Sequence, residues 1–171
     1  MRIVAGTFKG RDLVGPSDFR VRPTAEHVRG ALLDLLAADL PDASVCDLFA
    51  GTGALGLEAI SRGAKRCDFV ETRPSSLAAL KSNIIQLKLR ERTRVFKKDA
   101  LPFAGQLNEH AYDLVFCDPP YESRMLDRVI ESWQARRFTP VLAVEHATKH
   151  RLPPGALSRT FDDTTVTIYR L

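Results

Sequence analysis

Ser44-Val45-Cys46-Asp47-Leu48-Phe49-Ala50-Gly51-Thr52-Gly53-Ala54-Leu55-Gly56-Leu57-Glu58 is the stretch that decides how this chain folds. Its first six residues are mostly apolar and β-prone, and they predict a strand over 44–49. Gly51, Gly53 and Gly56 follow at G-x-G-x-x-G spacing, and the apolar positions after them predict a helix that stops at Gly63. Strand, glycine turn and helix in that order open a parallel α/β sheet. Such sheets take their ligands in the crevice outside the carboxyl ends of the strands. Asp47 stands close to that end.

The stretch that follows repeats the arrangement. Residues 67–71 predict a second strand ending in Glu71, twenty positions beyond Gly51, where an acid suits a ribose diol. The glycine pattern alone is compatible with a dinucleotide, but Asp47 would repel a pyrophosphate. S-adenosylmethionine carries no phosphate, and its sulfonium and ammonium groups are cationic, so a neighbouring carboxylate favours it. Pro74 suits the first turn of a helix whose Leu77, Leu80, Ile84 and Leu87 form a core stripe. A third strand over 94–97 lies in a basic cluster of Arg90, Arg92, Arg94, Lys97 and Lys98, and Asp99 follows it, placed to accept from an adenine amino group.

The apolar run from Tyr112 to Cys117 predicts a strand buried on both faces, and Asp118-Pro119-Pro120-Tyr121 follows at its carboxyl end. Two prolines stop the strand, hold φ and remove two N–H donors, leaving carbonyls free to accept. A carboxylate, backbone carbonyls and an aromatic face held stiffly together are what an exocyclic amino group on a planar base requires. The motif resembles the Asp/Asn-Pro-Pro-Tyr/Phe signature of amino-group methyltransferases.

Farther out, residues 2–8 and 9–16 predict two short strands around a glycine-containing turn. Arg22-Pro23-Thr24 opens a helix running to about Leu40-Pro41, with Thr24 as N-cap. Six cations fall in the first thirty positions, Arg2, Lys9, Arg11, Arg20, Arg22 and Arg29, partly offset by Asp12, Asp18 and Glu26. Beyond the Asp-Pro-Pro-Tyr strand, a helix carries Met125, Val129, Ile130 and Trp133, a fifth strand covers 141–145, and a final antiparallel pair covers 158–161 and 165–169. His146 and His150 lack a helical frame and a third ligand, so no metal site is expected.

At 171 residues the chain suits one domain, here 1–171 with 1–22 as a hairpin arm. Its net charge of +4 favours an anionic partner. No apolar run approaches the roughly 20 residues of a membrane span and no signal-peptide core is present. Cys46, Cys67 and Cys117 each fall in a strand-like run, as small core residues of a reducing cytoplasm do.

Nearly end to end, the chain resembles the bacterial small-subunit ribosomal RNA guanine-N2 methyltransferase family. The resemblance is strongest at Arg2-Ile3-Val4-Ala5-Gly6 with Lys9-Gly10-Arg11, at Arg22-Pro23-Thr24 with Val28-Arg29, at residues 47–63 and at residues 118–121. It implies a Rossmann-like α/β methyltransferase sheet, mostly parallel with a terminal antiparallel hairpin, and an added N-terminal β-hairpin. It implies S-adenosyl-L-methionine as cofactor, with Asp47, Gly51 and Gly53 around its methionine part and Phe49 in the same cofactor-binding set. Glu71 would hold the ribose and Asp99 lie near the adenine, while Asp118, Pro119, Pro120 and Tyr121 would hold the base and carry the chemistry. Lys9, Arg11, Arg22, Thr24 and Arg29 would touch small-subunit ribosomal RNA, free or in an assembling subunit, with no membrane and no metal involved. The chain departs from the family pattern at Glu26-His27, at Gly30 and at Glu71-Thr72. Three other readings share these residues: methylation of an adenine, cytosine or protein glutamine amino group, nicotinamide-dependent oxidoreduction, and a non-catalytic RNA-binding assembly factor.

Overall fold

The computed structural model describes residues 1–17, 25–121 and 123–171. Its strands are β1 (Ser44–Leu48), β2 (Arg66–Val70), β3 (Thr93–Phe96), β4 (Leu114–Cys117), β5 (Val141–Ala147), β6 (Leu157–Phe161) and β7 (Thr164–Arg170). Its helices are α1 (Glu26–Leu35), α2 (Ala54–Ser61), α3 (Pro74–Gln86), α4 (Ala100–Gly105) and α5 (Met125–Arg136). The strands form one sheet in the order β3-β2-β1-β4-β5-β7-β6. The first five are parallel, and β7 runs antiparallel between β5 and β6. The expected mostly parallel sheet with a terminal antiparallel hairpin is therefore observed. After β3 the chain crosses back to lay β4 against β1, so the strand order reverses there and leaves a crevice at the carboxyl ends.

The apolar runs have period two within them, and the two sets of side chains go to opposite faces. Val45, Leu114 and Phe116 join Leu32, Leu57 and Leu80 on one face, while Cys46, Leu48, Val115 and Cys117 join Val129, Ile130 and Trp133 on the other. Burying a side chain such as Phe116 contributes about 1.5–3 kcal/mol. The three cysteines are free and buried, and burial pushes each thiol well above its usual pKa.

Some local expectations need correction. The N-terminal pair of strands reduces to a single antiparallel bridge between Arg2 and Asp12. Ile3 N–H donates to Arg11 O at 3.0 Å and Gly10 N–H to Ile3 O at 2.8 Å, closing a small hairpin. That hairpin joins no sheet; it docks on the end of α2, where Thr7 N–H donates to Ser61 O at 2.8 Å and Ser61 Oγ donates to Ala5 O at 2.7 Å. Helix α1 ends at Leu35, several residues before Pro41, because the chain tightens into turns in which Asp39 N–H donates to Leu36 O at 2.8 Å. The proposed cap Thr24 lies outside the described residues. The short helix α4 was not foreseen: Pro102 obscures it in the sequence but falls in its first turn, where N–H groups lack helical partners anyway.

Arg29 is corrected as well. It is wholly buried and donates from Nε to Glu58 Oε2 at 2.7 Å, with Nη2 donating to Arg2 O. Glu58 Oε1 in turn accepts from Val4 N–H at 3.2 Å and from Arg62 at 3.1 Å. A phosphate cannot reach Arg29, whose charge ties the arm and α1 to α2. Removing one member of a buried pair of this kind costs about 3–5 kcal/mol. In the basic cluster, Arg94 pairs with the buried Asp68 at 2.6 Å and Arg92 donates to Ala64 O at 2.6 Å, so both support the β2–β3 edge.

Candidate active site

The register between β1 and β4 sets Leu48 opposite Cys117, so the turn that starts at Phe49 lies beside Asp118. The turn is tight. Phe49 takes φ 60 and Gly51 φ 56, and Gly53 N–H donates to Ala50 O at 2.8 Å. A non-glycine residue in the left-handed region stores backbone strain of the sort that persists at ligand clamps. Gly53 has φ 81, and a Cβ there would stand 2.3 Å from Leu80 Cδ1, so its missing side chain serves packing of the turn against α3. At Gly51 a Cβ would meet nothing within 4 Å, which leaves the space above it open.

Asp47 is 2% exposed, and its Oδ2 accepts from Gly56 N–H at 3.0 Å at the start of α2. Burial pushes its carboxyl up to about 8; Asp118 and Glu71 add repulsion, and the Gly56 bond offsets part of the rise. Glu71, immediately after β2, braces the turn from below. Its Oε2 accepts from Gly51 N–H at 2.8 Å, and its Oε1 accepts from Thr72 N–H at 2.7 Å and Arg73 N–H at 2.8 Å. Asp99 caps α4 by accepting from Leu101 N–H at 3.1 Å.

Across the crevice, the Pro-Pro segment after β4 brings Tyr121 against the ends of β5 and β7. Tyr121 Oη donates to Glu145 Oε1 at 3.2 Å and lies 2.8 Å from Thr164 Oγ1. Burial raises the phenol to about 12, so it stays protonated. The sequence had assigned this hydroxyl no task; here it steadies a carboxylate.

One cavity of about 660 Å³ joins these parts. Asp47, Phe49, Gly51, Glu71, Asp99, Asp118, Pro119, Pro120 and Tyr121 all line it. Gly53 does not, and neither do Lys9 or Arg11, which are exposed on the arm. Arg22 and Thr24 lie outside the described residues. Glu145 and Thr164 were missed as site residues, although Glu145 ends the predicted fifth strand, which is where such sheets place ligand contacts. Five carboxylates, Asp47, Glu71, Asp99, Asp118 and Glu145, line the space with the basic side chains of Arg73 and Lys98. That balance suits a cationic ligand with hydroxyl and amino donors and opposes a pyrophosphate. No cluster of three or more metal-ligating side chains occurs among the described residues. No helix among them is long and apolar enough to cross a membrane.

The same fold occurs in solved structures. The yhhF protein of Escherichia coli superposes with a TM-score of 0.86 at 30% identity, covering 99% of this chain and 97% of that one. An RNA methyltransferase of Salinibacter ruber, solved with S-adenosyl-L-homocysteine, shares the fold with a TM-score of 0.65 at 15% identity, over 87% of this chain and 93% of that one. With an anionic crevice at the strand reversal and an Asp-Pro-Pro-Tyr turn facing it, this chain is of the S-adenosylmethionine-dependent methyltransferase class. It belongs to the family described as conserved hypothetical protein 95, which matches residues 1–165. Among curated relatives, ribosomal RNA small subunit methyltransferase D of Escherichia coli is 37% identical over 130 residues, which are 76% of this chain and 65% of that protein.

Proposed function

We propose that this protein transfers the methyl group of S-adenosylmethionine to the N2 amino group of a guanine in small-subunit ribosomal RNA. The observation that carries the reading is a single cavity shared by two sets of residues. The glycine turn, Glu71 and Asp99 line one side, and Asp118 to Tyr121 line the other. The ribosomal RNA substrate is supported by the name of the Escherichia coli relative, and the guanine by the near end-to-end resemblance of the sequence to guanine-N2 methyltransferases.

When bound, S-adenosylmethionine supplies a sulfonium whose methyl group is already electrophilic. The chain's own task is to position the nucleophile and exclude water. Asp47 balances cationic charge, Glu71 accepts from the ribose hydroxyls, and Asp99 accepts from the adenine. A guanine amino nitrogen is a weak nucleophile because its lone pair is delocalised into the ring. Asp118 and a proline carbonyl accept its two N–H bonds and favour the form with an exposed lone pair. The new N–C bond forms as the C–S bond breaks, and the proton leaves N2 for Asp118. The Tyr121 ring stacks on a base drawn out of its helix, offsetting unstacking that costs a few kcal/mol. Lys9, Arg11, Arg22 and Thr24 contact the RNA; Arg29 is excluded from this set by its burial.

The test is direct. Methyl-labelled S-adenosylmethionine is incubated with the protein and either naked small-subunit RNA or subunit particles, and the RNA is digested to nucleosides. The expected product is N2-methylguanosine. Label in methyladenosine, methylcytidine or protein would replace this reading with another.

A further inference from the structure

Resting on the reading of this site as one for a guanine amino group, we propose that Glu145 selects the base by accepting guanine N1–H beside the N2 group that Asp118 receives. Three observations carry it. In the parallel register of β4 and β5, Cys117 stands opposite Val144, so Asp118 and Glu145 follow side by side where the β4–β5 pairing ends. Glu145 is only 6% exposed, yet it lines the main cavity and also a second space of about 410 Å³ that adjoins it along Pro119, Pro120 and Tyr121. Its carboxylate is also held in place, because Tyr121 Oη donates to Oε1 at 3.2 Å and is itself 2.8 Å from Thr164 Oγ1.

The chemistry of the bases then discriminates. An ionised carboxylate only accepts hydrogen bonds. Guanine presents N1–H and the N2 amino group side by side, two donors in a row that match two neighbouring acceptors. Adenine presents the lone pair of N1 beside its amino group, and cytosine the lone pair of N3. A glutamine amide presents a carbonyl oxygen. Each of these three would set a lone pair against Glu145, and a buried site built for a donor rejects a group that lacks it. Glu145 thus separates guanine from the other amino groups that the Asp-Pro-Pro-Tyr turn could serve.

The experiment places 2-aminopurine at the target position of a synthetic RNA. This base keeps the N2 amino group but has a bare N1 lone pair in place of N1–H. Single-turnover methyl transfer is measured on guanosine and 2-aminopurine RNAs with the wild-type protein and with Glu145→Gln. S-adenosylmethionine affinity and thermal midpoint are measured on the same samples. Wild type is expected to prefer guanosine by roughly 10–100-fold, the worth of a good base-edge contact. Glu145→Gln, whose amide can donate to a bare N1, is expected to lose rate on guanosine and gain on 2-aminopurine, so that the preference collapses or inverts. Cofactor affinity is expected to stay unchanged. A wild-type protein that treats the two RNAs alike overturns the proposal, even if Glu145→Gln fails to fold. A folded Glu145→Gln protein with the wild-type preference overturns it too. Failure of the guanine reading itself looks different: wild type then transfers no methyl to guanosine RNA at all.

Discussion

Around the turn after β1 the wall of the cavity is backbone with acidic side chains bonded to it; across the crevice, after β4 and β5, side chains bond to one another. On the first side, Phe49 and Gly51 occupy the left-handed region, Gly53 leaves no room for a Cβ, and Glu71 is bound to three main-chain N–H groups. On the second side, Tyr121 meets Glu145 and Thr164 through carboxylate and hydroxyls, and Asp118 lines the same cavity. A backbone wall is inseparable from the packing beneath it, so changing it perturbs fold and cofactor site together. A side-chain wall can be altered on an intact sheet. Chemistry and base selection are therefore expected to be separable from stability only on the second side.

The sharpest way to break this contrast is Asp118→Ala. Its single-turnover methyl transfer is expected to fall by roughly 10²–10⁴, the range for a positioned proton acceptor, with cofactor affinity and melting midpoint nearly unchanged. A variant that loses cofactor binding and stability in parallel would mean that both sides are one structural unit.

Gly53→Ala tests the opposite side. The new Cβ combines a φ of 81 with a 2.3 Å approach to Leu80, so denaturant unfolding is expected to show a loss of roughly 2–4 kcal/mol. Cofactor affinity should fall with it, although Gly53 does not line the cavity. A stable Gly53→Ala protein with weakened cofactor binding would assign the glycine a direct contact instead.

The smallest expected effect is in pH. Asp47 has its pKa raised from 3.8 to about 8, so between those values the folded protein holds a proton that the unfolded chain has lost. This contribution to stability is complete below about pH 4 and disappears as pH rises through about 8. The melting midpoint of the cofactor-free protein should fall steadily across that window, and Asp47→Asn should flatten the slope. Binding of the cationic cofactor favours the carboxylate, so calorimetry near pH 7 in buffers of different ionisation enthalpy should register proton release. Equal heats in both buffers would show that Asp47 is already ionised in the empty cavity.

Legibility in the sequence followed the range of the interaction. The strand, the glycine turn, the placement of Asp47 and Glu71 beside strand ends and the Asp-Pro-Pro-Tyr stop were readable because each depends on neighbours a few residues away. The same local logic overextended α1 to Pro41, since proline marks where a helix must stop and says nothing of an earlier turn. It also read Arg29 as a surface charge, because its partner Glu58 lies twenty-nine positions along the chain. The tasks of Tyr121 and Glu145 were hidden for a related reason: their meeting depends on which strand lies beside β4.

By itself, then, the sequence determined the alternation of strands and helices, the two-faced burial of the sheet and the acids at strand ends, all of which follow from periodicity and local backbone sterics. Only the tertiary structure decided that the chain reverses between β1 and β4, bringing Asp47 and Asp118 to one cavity. Strand order likewise put Glu145 next to Asp118, and the docking of α1 and the arm on α2 drew Arg29 inside. Pairings of that kind are set by the packing of whole elements, and no short window of residues encodes them.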